Sequence, residues 1–201
     1  IIVTPEYGSL IVLGIAVTDI ALAETECVSN IFAKRDYNEN SACTGCRACV
    51  RACPTGALLG EGRLDRDKCI QHMCTQYMPL SEQMKSAWGS RIYGCSTCQD
   101  VCPLNKRVVK RETIPPVGYV GPELPLLKIL KMSYEEYRAL VAGNQMARRW
   151  VDFRAIKRNA LLVLKDVKTE EAEKTIANFC QNDDLLLRET ALWVKSATQS
   201  Q

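Results

Sequence analysis

Two apolar runs, IIVTP and LIVLGIAV, flank the turn PEYGS at the start of the chain. Both are rich in β-branched residues and lack helical spacing, which predicts a pair of strands. A strand pair with apolar faces needs more sheet to cover it. Residues 1–26 are therefore expected to be the C-terminal remnant of an upstream α/β domain. The second run closes at Asp19 after about ten apolar residues, short of the roughly 20 that a membrane helix needs. No membrane association is expected, and the opening lacks the basic stretch and small-residue cleavage site of a secretory signal.

The pattern changes period after Ser133. SYEEYRALV opens with Ser133 and Glu136 at capping-box spacing. Asp183 and Asp184 stand where a last helix, LLLRETALWVKSA, would start. KRNALLVL from Lys157 aligns with RETALWVK from Arg188, and TEEAEKTIANFC between them reads as another helix with an acidic first turn. Paired helices at this period predict a HEAT-like tail over residues 132–201. Upstream of it, RETIPPVGYVGPELPLL carries four prolines and two glycines. Residues 111–131 are read as an extended connector.

Residues 27–110 hold ten of the eleven cysteines in this 201-residue chain. An odd count fits poorly with full disulfide pairing, and a cysteine-rich chain without secretory features reads as cytoplasmic and metal-binding. With 26 basic and 23 acidic side chains the net charge is only +3. Any nucleic-acid surface would have to come from local clustering.

The cysteines fall into patterns. Cys43, Cys46, Cys49 and Cys53 follow C-x2-C-x2-C-x3-C-P in CTGCRACVRACPTGA. Three thiolates in one tight loop can hold three corners of an iron–sulfur cube, while the fourth, before the proline, serves the other cluster of a pair. A zinc knuckle would use two separated C-x2-C pairs instead. GCSTCQDVCP repeats the ending, with Cys95, Cys98 and Cys102. One 4Fe-4S cluster is then expected on Cys43, Cys46, Cys49 and Cys102. The second has Cys95, Cys98 and Cys53, and lacks a ligand. Cys27 has no companion, and Cys180 in IANFCQND reads as a buried small hydrophobe. Cys69 and Cys74 both remain open, with Cys69 better placed at a loop-to-helix boundary. Such clusters support one-electron transfer, so a donor such as a flavodoxin or ferredoxin is expected.

In order and spacing, TPEYGS with the following TD, CTGCRACVRACPTGAL, LDRDKCI and SRIYGCSTCQDVCPLN resemble the epoxyqueuosine reductases. That resemblance implies a cobalamin-dependent enzyme with two 4Fe-4S clusters that completes queuosine on tRNA. It implies Cys69 as the missing ligand of the second cluster and Cys74 as an extra thiol. It places Ser9, in the YGS turn, beside the corrin, and makes residues 1–26 the end of a cobalamin-type domain. The cobalamin would bind fully only with the part upstream of TPEYGS. Ile15 stands where the family usually has an acid, and QHMCTQ replaces its usual SYLTIE. Reductive dehalogenases share the corrinoid-plus-clusters plan, but their second motif and flanks match less well.

His72, the only histidine, lacks the D-x-H-x-x-G context of a cobalt ligand and reads as a surface or cluster-flanking residue. ARRWVDFRAIKR gathers Arg148, Arg149, Arg154, Lys157 and Arg158. Arg154, Lys157 and Arg158 share a helical face by their spacing and are the candidate contacts to tRNA. Trp88, Trp150 and Trp193 read as core. The expectation is an α+β, monomeric iron–sulfur oxidoreductase with a ferredoxin-like centre. A corrinoid reductase of a small molecule, or a corrin-free electron-transfer module, are the other readings.

Overall fold

The computed structural model describes residues 2–4, 7–20, 45–108 and 117–199. They fall into two compact units that do not follow chain order: one takes the residues up to Ala52 together with Thr97–Val109, the other takes Cys53–Ser96 and everything from Lys110. Cys27 and Cys43 lie outside the described residues.

In the first unit, helix α1 (Ala48–Ala52) packs on a helix at Thr97–Asp100, and a 3-10 turn follows at Pro103–Arg107. The two strands expected here are not formed. A single bridge pairs Thr4 with Gly8, and residues 10–18 take no regular structure. Among the described residues no further strand lies beside them, so Val12, Ile15 and Val17 stay more than nine-tenths exposed. A strand needs a partner to satisfy its backbone groups, and apolar β-branched sequence alone does not supply one.

The second unit starts with a hairpin, β1 (Leu58–Gly60) and β2 (Arg63–Leu64). Short helices follow: α2 (Ile70–Met73), α3 (Glu82–Ser86) and, counting the first unit's Thr97–Asp100 as α4, α5 (Leu126–Lys131) and α6 (Tyr134–Leu140). Then come α7 (Phe153–Leu164), α8 (Glu170–Phe179) and α9 (Leu185–Gln199). The expected capping box is present: Glu136 N–H donates to the Ser133 hydroxyl, and Ser133 N–H donates to the Glu136 carboxylate. Asp184 starts α9 by accepting from the N–H groups of Leu186 and Leu187. Leu126–Lys131, read as the end of an extended connector, is helical because Ile129 and Leu130 bury one side of it.

Helix α7 is the centre of this unit. Both α5 and α9 pack on it, and Ile156, Ala160, Leu161, Leu162 and Leu164 are fully buried. Trp88 is buried as expected, with its indole N–H donating to the Arg91 carbonyl at 2.7 Å. Trp193 is partly buried and donates to Glu82. Trp150 is 60% exposed, not core, because it lies in the turn before α7. Cys180 is buried at the end of α8. Among the described residues no helix is long and apolar enough to cross a membrane.

Candidate metal centre

Cys46, Cys49 and Cys102 belong to the first unit; Cys53, Cys69 and Cys95 belong to the second, and Cys98 to the first. The boundary between units thus falls inside the first motif, between Cys49 and Cys53. The thiols of Cys46, Cys49, Cys53, Cys69, Cys74, Cys102 and Cys180 are in no disulfide.

In the first unit, Cys46 and Cys49 are half-buried on the approach to α1 and on the helix itself. Arg47 between them adopts a left-handed backbone, φ 48°, which a β-carbon disfavours by about 1–2 kcal/mol. Cys102 is buried where α4 gives way to the 3-10 turn, its N–H donating to the Gln99 carbonyl and its carbonyl accepting from Asn105 N–H.

The second unit builds its cysteines into a hydrogen-bonded frame. The Cys53 sulfur accepts the Ala57 N–H at 3.2 Å. Burial pushes this thiol up, but the backbone at Leu58, Thr55 and Ala57 and the Thr55 hydroxyl outweigh it and hold the group below its ordinary value. Thr55, itself buried, donates its hydroxyl to the Lys68 carbonyl at 2.6 Å. It ties the Cys53 turn to the residue before Cys69. Cys69 then caps α2, its carbonyl accepting from His72 and Met73 N–H. Gln71 reaches from the same helix to accept the Cys95 N–H at 2.8 Å. Cys53, Cys69 and Cys95 are therefore linked through Thr55, α2 and Gln71.

Cys74 sits within this frame as a different kind of thiol. It is fully buried, donates toward the Gln71 carbonyl at 3.2 Å and accepts the Gly94 N–H at 3.3 Å. Burial pushes its thiol up, against the Gly94 N–H and the charge of Arg158. The two thiols are thus shifted in opposite directions, Cys53 down by its hydrogen bonds and Cys74 up by burial. His72 is half-buried on α2.

Thiolate donors with backbone N–H groups aimed at sulfur are the surroundings that iron–sulfur clusters use, and on that chemistry the residues present fit such a group. Among the described residues no three His, Cys, Asp or Glu side chains converge as ligands of one metal ion.

Two expected site residues make other contacts within the protein. Ser9 is buried: its N–H donates to Asn105 Oδ1 at 2.7 Å, its Oγ accepts from Asn105 Nδ2 at 2.8 Å, and its carbonyl accepts from Gln99. Arg158 is 1% exposed. Its guanidinium donates inward, so it cannot share a solvent face with Arg154, and the expected three-residue stripe is corrected to two. Arg154 is exposed, forked onto Asp152 and laid over the Tyr77 ring at 4.3 Å. Lys157 is half-buried over Phe153. Arg148 and Arg149 are exposed beside Trp150.

Sequence reasoning missed Thr55, Gln71 and Asn159. Thr55 alone had a signal, in the PTGA that follows Cys53; the other two act across 24 and more residues of chain.

Residues 42–105 match the family of 4Fe-4S double cluster binding domains. An epoxyqueuosine reductase of Listeria monocytogenes is 34% identical over 96% of this chain and 48% of its own length. An uncharacterised protein of Geobacillus stearothermophilus is 33% identical, over 94% of this chain and 82% of its own. The chain belongs to the epoxyqueuosine reductase family. A crystal structure of an epoxyqueuosine reductase with an epoxyqueuosine-modified tRNA-Tyr stem loop matches with a TM-score of 0.65 at 28% identity, covering 79% of this chain and 42% of the other. The chain spans about half the length of the named epoxyqueuosine reductases it matches.

Proposed function

We propose that this chain carries two 4Fe-4S clusters and passes electrons, one at a time, in the reduction of epoxyqueuosine to queuosine in tRNA. The first cluster is assigned to Cys43, Cys46, Cys49 and Cys102, the second to Cys53, Cys69, Cys95 and Cys98. The carrying observation is the hydrogen-bonded frame that links Cys53, Cys69 and Cys95 through Thr55, α2 and Gln71. It agrees with the crossing of Cys53 expected of a paired-cluster fold; Cys102 and Cys98 both fall in the unit that holds Cys46 and Cys49. Bound clusters would supply one-electron chemistry. The chain's own residues hold the thiolates and aim N–H groups at them. A cobalamin is the acceptor this scheme calls for; bound, it would supply the chemistry at the epoxide, with Ser9 as the residue of this chain proposed beside it.

The HEAT-like reading of residues 132–201 and the RNA contact belong to the same proposal. Support comes from the tRNA stem loop bound by the structural neighbour and from exposed Arg148, Arg149 and Arg154. Cytoplasmic location and an electron donor of the flavodoxin or ferredoxin class follow from the same scheme.

Two measurements test it. Anaerobic iron and sulfide analysis of the reconstituted chain should give about eight irons; zinc in their place overturns the cluster assignment. Deleting the full gene should leave epoxyqueuosine where queuosine stood in tRNA, and unchanged queuosine refutes the reaction.

A further inference from the structure

Arg158 is a buried cation with neutral partners only. Its Nη1 donates to the carbonyls of Gln76 and Met78 at 2.8 and 2.9 Å, and its Nη2 to the Met73 carbonyl at 2.7 Å. Nε and Nη2 also reach Asn159 Oδ1. Five N–H groups are thus matched by five bonds, none to an acid. Among the described residues no carboxylate lies within ion-pair distance of it. Asp152, the nearest acid to influence it, is forked by Arg154, and Tyr77 and Cys74 are its other titratable neighbours. The face of Trp88 covers it at 5.4 Å. Burial lowers its pKa to about 10, which still leaves the charge in place at neutral pH.

A buried charge without a counter-charge is costly and rare. All three carbonyls it grips belong to the segment that leaves Cys69. Met73 lies one helical turn beyond Cys69, about 6 Å along the axis, so the guanidinium grips the carbonyl at the end of the helix that Cys69 opens. Asn159, next in sequence, holds the two ends of the same frame: its Nδ2 donates to the Cys74 and Ile92 carbonyls, each at 2.8 Å, and Ile92 leads into Gly94 and Cys95. A 4Fe-4S cube on four thiolates is an anion, and it gains a further negative charge on taking up one electron.

We infer that the second cluster is the missing counter-charge of Arg158, and that Arg158 raises this cluster's reduction potential by stabilising its reduced, more negative state. The inference rests on the two-cluster reading above. No bond forms or breaks; one electron enters from an external low-potential reductant, which is oxidised. Arg158 touches backbone, not the cluster, so its part is electrostatic positioning.

The test is potentiometric titration of the reconstituted full chain followed by EPR, with thermal unfolding in parallel. At an effective dielectric of about 20, removing a unit charge at a separation on the order of 10 Å changes the reduced-to-oxidised ratio about tenfold, or about 59 mV for one electron. Arg158→Met should shift one of the two waves negative by that amount and leave the other in place. Asn159→Asp keeps the arginine and cancels its charge, and should shift the same wave the same way. Asn159→Ala loosens the same segment without changing charge: it should lower the melting temperature and shift that wave by less than Asn159→Asp does. If Arg158→Met does not assemble the cluster, Asn159→Asp against Asn159→Ala decides alone. Equal potentials in these two, or a shift in Asn159→Ala as large as in Asn159→Asp, reduce Arg158 to a structural clamp. A wild-type chain with one wave or none instead overturns the two-cluster reading, and the inference with it.

Discussion

Asn105 holds Ser9 with both ends of its side-chain amide, Oδ1 accepting the Ser9 N–H at 2.7 Å and Nδ2 donating to the Ser9 hydroxyl at 2.8 Å. The same Nδ2 reaches the Gln99 carbonyl at 2.7 Å. The turn that carries Ser9 is thereby pinned to the segment that carries Cys102, three residues before Asn105. Gly8 makes the approach possible: its φ is +55°, and a β-carbon there would stand 2.2 Å from Asn105 Oδ1 and 3.1 Å from Asn105 N.

Asn105→Ala should therefore cost about 1–3 kcal/mol, because it leaves buried polar groups unmatched. Gly8→Ala should break the same contact by collision. Both should open residues 7–20 to protease and lower the melting temperature. Cleavage as slow as in wild type would mean that the Ser9 turn is held by something else.

The 4Fe-4S double cluster domain was legible because ligand spacing is a local property: C-x2-C-x2-C-x3-C-P is set by how far one loop can reach around a cube. Caps were legible for the same reason, as with Ser133 and Glu136. Arg158 was not. Spacing put it on a helical face with Arg154 and Lys157, but which face of α7 turns inward is decided by the carbonyls of Met73, Gln76 and Met78, about 80 residues away. The partners of Ser9 were hidden for a similar reason, since they are 90 and 96 residues distant. The β-branched start of the chain signals strand propensity but not the neighbour that a strand requires.

With Arg158 inside, the proposed RNA contact falls to residues that solvent reaches. Replacing Arg154 and Lys157 together by glutamine should weaken binding of an anticodon stem loop. The slope of log affinity against log salt should drop by about 0.7–0.9 for each phosphate that the variant no longer neutralises. Fluorescence anisotropy at several salt concentrations measures both. An unchanged slope would show these side chains to be an ordinary solvated face. Trp150→Ala should leave stability within about 0.5 kcal/mol of wild type, because the ring is exposed and its removal opens no cavity.

Tyr137 supplies a pH signature for the helical core. It is 1% exposed, its hydroxyl donates to the Met146 carbonyl at 3.0 Å, and its ring stacks on Phe153 at 4.4 Å. Burial, with Tyr93 adding, pushes the phenol above its ordinary value, against Arg138. A raised folded value means that the native state keeps a proton the unfolded chain gives up. The stabilisation is then complete below the ordinary tyrosine value of about 10 and declines as pH rises above it. Tyr137→Phe should be weaker than wild type by about 1 kcal/mol at neutral pH, and that deficit should shrink above about pH 10. Denaturant midpoints of the two proteins between neutral and strongly alkaline pH give the comparison. A constant gap across that range would mean that Tyr137 ionises as easily folded as unfolded.

Cys69 and Cys74 cap opposite ends of α2, and the two-cluster proposal gives their sulfurs opposite roles. Cys69 opens α2, half-buried, with its backbone fixed by the turn that follows and by the tie from Thr55 to Lys68. Cys74 is at the far end, fully enclosed, and its thiol is kept protonated by burial while its hydrogen donates to the Gln71 carbonyl. Cys69→Ala should lose one cube, about half the iron and sulfide, with one EPR signal gone and the other intact. Cys74→Ala should keep the full metal content and instead lose about 1 kcal/mol of stability, from the small cavity and the unmatched Gly94 N–H. Anaerobic iron and sulfide quantitation with EPR on both variants separates the two. If Cys74→Ala were the change that emptied a cluster, the eighth ligand would be the buried thiol, and α2 would have to unwind to deliver it.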